Sequence, residues 1–369
     1  MKKVLLTTAI TLPILALAAV AFVTIAHVRG ASATSITCTP TGFYRDGINM
    51  TAAKINPPDS VSGTINAAGC NIGVYYGPGA TGSVSHATIY GANYFGVVNN
   101  GGRVTISHSL IHDIGEIPFN GTQHGVGVYF VYASGATGEI SNNRIWRYQK
   151  GGIVVNGTGD SANVSDNTVA GLGPIGFIAQ NGIQIGYGAQ ATVTHNTVTD
   201  NSYTGASTVD GGIIVVGGAY YGSDYTVGTV ITHNTLTNND VGVWVTDIDE
   251  NANPAATPTN VVVSENHISD NSVTNNYGTV GYQAGVADQG DYDQITNNHI
   301  CGTGYTATVA NPYLYYIDVT ATNNPTVSGN LTGQCQGDGV VSTMTEPSAR
   351  GPDAIHPTDG GSDRPSATP

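Results

Sequence analysis

Charge is scarce in this chain. Charged residues occupy 10% of the 369 positions, well under the ~25% usual for a globular domain. Only 11 residues are Lys or Arg against 25 acids, a net charge of −14. A nucleic-acid partner is excluded on that ground, because phosphate binding needs a basic face. Helix-building composition is missing too: past the N-terminus no stretch offers Ala, Leu, Glu and Lys at a helical period. Between the N-terminal segment and the tail the only basic residues are Arg45, Lys54, Arg103, Arg144, Arg147 and Lys150. A polyanionic ligand would have to be held by those few, or through a bridging cation.

What fills the space is Gly, Asn and Thr. The 50 glycines are about twice the usual ~7% share, a composition of short strands and many turns. The N-terminus reads Met1-Lys2-Lys3, then an apolar run over residues 4–28, then Ala31-Ser32-Ala33. Basic, apolar and small-residue regions in that order are an export signal. The run is long enough to span a bilayer, so an uncleaved anchor is the alternative. Four Cys fit an oxidising compartment. Cys38 and Cys70 precede the repeats, and Cys301 and Cys335 lie near their end. Of the three possible pairings, pairing within each end would staple the places where a repeat array frays.

Self-comparison shows a recurring block: Thr192 to Val198, Val230 to Leu236 and Val262 to Ile268, each with Asn at its fifth position. The column runs Asn143, Asn167, Asn196, Asn234, Asn266, Asn298, Asn330, with Ser109 and Ala87 in its two earlier copies. Repeats of 20–40 residues signal a solenoid. After each block comes a strand opened by Gly, as in Gly182-Ile183-Gln184-Ile185 and Gly212-Ile213-Ile214-Val215. Alternation sends Ile and Val inward, and stacked Asn side chains can satisfy one another along the turn.

These motifs resemble the right-handed parallel β-helix proteins of the pectate lyase-like superfamily. The expected architecture is all-β, a solenoid of about nine rungs with an Asn ladder. The boundaries are a signal or anchor at 1–33, a cap at 34–83, the β-helix at 84–335 and a disordered tail at 336–369. The resemblance implies that the face of the Gly-opened strands, walled by its loops, holds the active site.

Long insertions commonly carry function, and here they fall at 111–123, 199–210, 217–228, 247–260 and 270–283. Aligning rungs on the strand Gly puts Gln123, Lys150, Gln180, Asp210, Asp240 and Gln283 in one column. Adjacent Asp210 and Asp240 could divide into acid and base or chelate a cation, and they are the expected catalytic pair. Polygalacturonases of the superfamily place paired Asp residues just before this strand. The chain lacks their Asn-Thr-Asp, Asp-Asp and Arg-x-Lys motifs, and Gln123-His124-Gly125 only partly matches their Gly-His-Gly. The Ca²⁺-dependent lyases use an Arg base, which this column lacks.

Outward residues of the same strands read Val154, Gln184, Ile214 and Trp244, and an exposed Trp244 would stack on a sugar ring. Lys150, His124, Tyr220 and Tyr221 complete the expected substrate surface. Metal candidates are Asp247 and Asp249 for Ca²⁺, and His195 with His233 in the column before the Asn ladder. Two functions are compatible with these residues. One is a polysaccharide lyase, hydrolase or epimerase; the other is a non-catalytic glycan-binding or spacer protein at the cell surface. The expected partner is a polysaccharide or surface glycan, with the chain a monomer that meets a membrane only if its N-terminal segment stays uncleaved.

Overall fold

Each coil of the chain is three short strands, and the coil at 181–203 shows why. Strand Asn181–Gly186 turns Ile183 and Ile185 inward, Gln190–Thr194 contributes Val193, and Thr197–Tyr203 contributes Val198. These four side chains cannot be buried by one coil alone. The next coil repeats them in register, with Ile183 beside Ile213, Val193 beside Ile231 and Val198 beside Leu236. Stacking therefore creates the core, and the inward columns of Val and Ile run through the solenoid as one cluster.

The computed structural model describes residues 37–335; the expected signal or anchor at 1–33 and the tail at 336–369 lie outside the described residues. The Gly-opened strands form an 11-stranded sheet, and the strands flanking the Asn turn form an 18-stranded one. All neighbours in the first sheet are parallel except the opening hairpin of Thr39–Arg45 with Ile48–Ile55. Coiling starts before residue 84: strands Ile48–Ile55 and Val61–Asn66 already pair in parallel with the following coil. The cap expected at 34–83 thus contains a rung of its own. A disulfide staples each end, Cys38 with Cys70 and Cys301 with Cys335.

Two columns set the register. Gly182 and Gly242 have ordinary φ, yet a Cβ there would lie 2.5 Å from the carbonyl oxygen of Gly212 and Gly285 respectively. Only Gly lets a Val or Ile methyl from the third strand pack against the backbone at that point. The Asn column bonds along its length, each side-chain amide donating to the next Asn oxygen at 2.9–3.0 Å from Asn143 to Asn330. Ser109 accepts from Ala87 N–H and gives its own N–H to Asn143. The residue before each ladder position, from His86 and His108 through Asn297, is left-handed with φ between 48° and 57°. Asn, Asp and His tolerate that region best, which is why the column is rich in them.

Asn234→Ala is expected to cost about 3–5 kcal/mol, because it strands the Asn196 N–H, the Asn196 amide and the Val193 carbonyl in a buried turn. A lowered urea midpoint would show it. Asn330→Ala at the half-buried ladder end should cost much less, and equal losses at the two positions would refute the ladder's role.

Candidate functional site

The outward column of the first sheet is where a substrate face was expected, and the structure closes it. Val154, Gln184, Ile214 and Trp244 pair side by side across successive strands, and none exceeds 2% exposure. Trp244 belongs to an apolar cluster with Tyr187, Val209, Ile214, Tyr221, Ile248 and Tyr282. Those partners come from loops at both ends of the strands, so insertions from either side meet over the sheet. The exposed sugar platform expected at Trp244 is corrected accordingly: an indole costs least when its area is buried, and two loops supply the cover. Gln184 lies under the same layer, bonded to Asn156 and Asn181.

Asp210 and Asp240 are neighbours, as expected, but both are wholly buried. Asp240 accepts from the Ser202 hydroxyl at 2.8 Å, the Tyr203 N–H at 3.0 Å, the Asp210 N–H at 3.0 Å and the Asn275 amide at 3.1 Å. Burial pushes its carboxyl up to about 7, and these four donors hold it down from a higher value. Asp210 is driven well above the usual range, first by burial and then by the Asp240 charge; the Gln180 N–H and the Lys150 ammonium oppose this. Four donors favour the anion, so the pair holds its charge on Asp240 and its proton on Asp210. Lys150 is buried with its Nζ donating to Ala179 O at 3.0 Å.

Several other residues in and beside the column anchor loop backbone in the same way. Gln180 accepts from Leu172 N–H, and Gln283 accepts from Thr274 N–H. Gln149, a neighbour of the predicted column that the rung alignment does not single out, holds Glu116 N–H, Asn120 N–H and Thr122 O. These loops carry backbone groups shielded from water, and a buried amide or carboxylate at or beside the strand entry satisfies them. Asp240 ties two loops at once, because Asn275 also bonds Tyr203 O and Thr208 O.

The remaining expected residues are dispersed. His124 is buried, stacked on Tyr94 with ring centroids 3.9 Å apart and bonded to Glu116 at 2.7 Å. Tyr221 is buried with its hydroxyl 3.0 Å from Thr246 Oγ1, while Tyr220 is exposed. Asp247 is buried and accepts from Thr226 N–H, and burial lifts it to about 8. Asp249 caps its own turn through Asn253 and Asn251, whose bonds hold its pKa down. His195 and His233 stack in parallel at 5.1 Å, and His233 bonds Glu265 at 2.7 Å. Among the described residues no group of three or more His, Cys, Asp or Glu could hold a metal ion; buried Asp247 is bonded to the Thr226 N–H and Asp249 to its own turn, and the His195 and His233 rings stack face to face.

An open concavity lies instead on the second sheet. A groove of about 500 Å³ crosses strands Arg103–Ser107, Thr137–Ser141, Ser161–Ser165 and Gln190–Thr194. One row across it is Arg103, Thr137, Ser161, Gln190 and the next is Thr105, Glu139, Asn163, Thr192, in strict register. Three strand spacings give it a length of about 14 Å. Hydroxyls and amides dominate, with one cation and one carboxylate. The signal was present in the sequence as polar residues alternating with Val and Ile, which is also how an ordinary solvated strand reads.

The chain is a right-handed parallel β-helix protein. The family described as right handed beta helix region matches residues 59–224. Among solved structures it is similar to the crystal structure of the Dettilon tailspike protein, at 14% identity and a TM-score of 0.46 over 75% of this chain. The chain spans 55% of that tailspike chain. No curated protein matches.

Proposed function

We propose that the protein is an exported, polysaccharide-binding β-helix that holds its glycan in the groove on the second sheet and does not act on it through Asp210 and Asp240. The carrying observation is the groove itself: about 500 Å³ lined by two registered rows in which hydroxyls and amides predominate beside Arg103 and Glu139. Such a surface offers donors and acceptors at a regular pitch, which suits a hydroxyl-rich polymer lying along the solenoid axis. Export rests on the N-terminal signal pattern and on the two disulfides, whose chemistry is that of an oxidising compartment. The buried carboxylate pair has no path to a polymer, which removes the main support for lyase or hydrolase activity there.

Affinity electrophoresis against neutral and uronic-acid polysaccharides tests this reading. Asn163→Ala with Gln190→Ala is expected to weaken retention about tenfold, a loss of ~1.4 kcal/mol, and Asp210→Asn to leave it unchanged. Retention that survives the double variant, or release of reducing ends or unsaturated sugars that Asp210→Asn abolishes, would overturn it.

A further inference from the structure

We propose that His267 and His299 form a two-imidazole site for a divalent transition metal of the Cu²⁺, Zn²⁺ and Ni²⁺ class on the outer surface of the third strands. Strands His267–Ser269 and His299–Cys301 run in parallel with the two His directly paired. Both side chains are exposed, and their Nδ1 atoms lie 3.2 Å apart. Two imidazole nitrogens at the Zn–N distance of ~2.05 Å and that separation subtend about 100° at the metal, close to tetrahedral. Imidazole is the ligand that suits these ions.

Ring orientation distinguishes this pair from the other His neighbours. The planes of His267 and His299 are tipped 65° with centroids 4.8 Å apart, which brings the nitrogens together. His195 and His233 lie within 17° of parallel, and His86 and His108 within 3°, so those rings present faces to one another. The nitrogens of the central pair are also engaged: Nδ1 of His195 and His233 meet the Thr194 and Thr232 hydroxyls, and His233 Nε2 meets Glu265. Among the described residues, the Nδ1 atoms of His267 and His299 meet only each other in this way. The proton between them can move to the Nε2 of its own ring by tautomer exchange through water, which frees both Nδ1 lone pairs with no change in charge, and a small rotation of the exposed rings would aim them at a shared metal.

Thr235 and Leu331 flank the pair in the same column, so water completes the coordination and the site is an exchangeable one. Coordination would join two successive coils from outside, next to the Cys301–Cys335 staple.

Isothermal titration of the tag-free full chain with Cu²⁺ and Zn²⁺ near neutral pH tests the proposal. One saturable site per chain is expected, tighter for Cu²⁺. His267→Ala and His299→Ala should each weaken it at least about tenfold, whereas His195→Ala should not. A metal-dependent rise in the thermal midpoint should accompany binding and vanish in the first two variants. Absence of saturable binding, binding unaffected by both variants, or equal loss in His195→Ala would overturn the assignment.

Discussion

Asp240→Ala is expected to destabilise the chain by about 3–5 kcal/mol, while Asp210→Asn changes stability by no more than ~1 kcal/mol. The asymmetry follows from the bonding. Removing the Asp240 carboxylate orphans the Ser202 hydroxyl, the Tyr203 and Asp210 N–H groups and one Asn275 bond. These belong to loops 201–210 and 270–283, so both should become sensitive to limited proteolysis. Asp210 holds the proton of the pair, and Asn reproduces a neutral carboxyl in size and polarity. Urea midpoints of the two variants, compared with the parent, decide the matter. Similar losses at both positions would show that the charge is not localised on Asp240.

Alkaline pH is expected to weaken the fold by at least a comparable amount. Asp240 rises from an ordinary value of 3.8 to about 7 and Asp247 to about 8, each chiefly through burial. Asp293 rises to about 9 through burial and the adjacent Asp288. A carboxyl with a raised folded pKa binds its proton more tightly in the folded chain than in the unfolded one. Its contribution is therefore complete below about pH 4 and is lost as pH climbs through the folded value. Each tenfold difference in proton affinity between the two states corresponds to ~1.4 kcal/mol. The three groups together should therefore remove on the order of 10 kcal/mol between pH 5 and pH 9. The thermal midpoint should fall steadily across that window. A midpoint that rises from pH 5 to pH 8 would mean that these carboxylates are ionised at little cost.

Much of the fold is legible in the sequence because a solenoid writes its contacts there. The Asn column and the Ser109 and Ala87 substitutes within it follow from spacing, since each residue meets its counterpart one coil away, and the two Cys pairs follow from their placement at the two ends, where stapling opposes fraying. The candidate site is harder to read. Whether Trp244 faces water depends on Tyr187, Tyr221 and Tyr282, which lie in loops of irregular length and meet it only in three dimensions. The apolar character of Val154 and Ile214 in the same outward column is the available sign that something covers that sheet. Gln149 falls outside the aligned column because it does the same anchoring from one position further back. His267 and His299 are hidden for a similar reason. They open the third strands, whereas the conspicuous His column lies at the left-handed turn before the ladder, where stacked rings are held by turn chemistry.

The Asn ladder has one further consequence. Every interior amide meets an identical amide above and below, so nothing in the ladder marks which coil it occupies. Its last three steps, from Asn234 to Asn330, are each 32 residues long, whereas the earlier ones measure 24, 29 and 38. Coils of equal period are interchangeable parts. Excising one would bring Asn234 against Asn298 with the same bonds that now join neighbours. As far as the ladder is concerned, length is therefore quantised: it can grow or shrink by whole turns with its own bonds intact, while coil-specific contacts such as those of Asp240 and of Tyr305 with Asn239 are what would have to be refitted at a join.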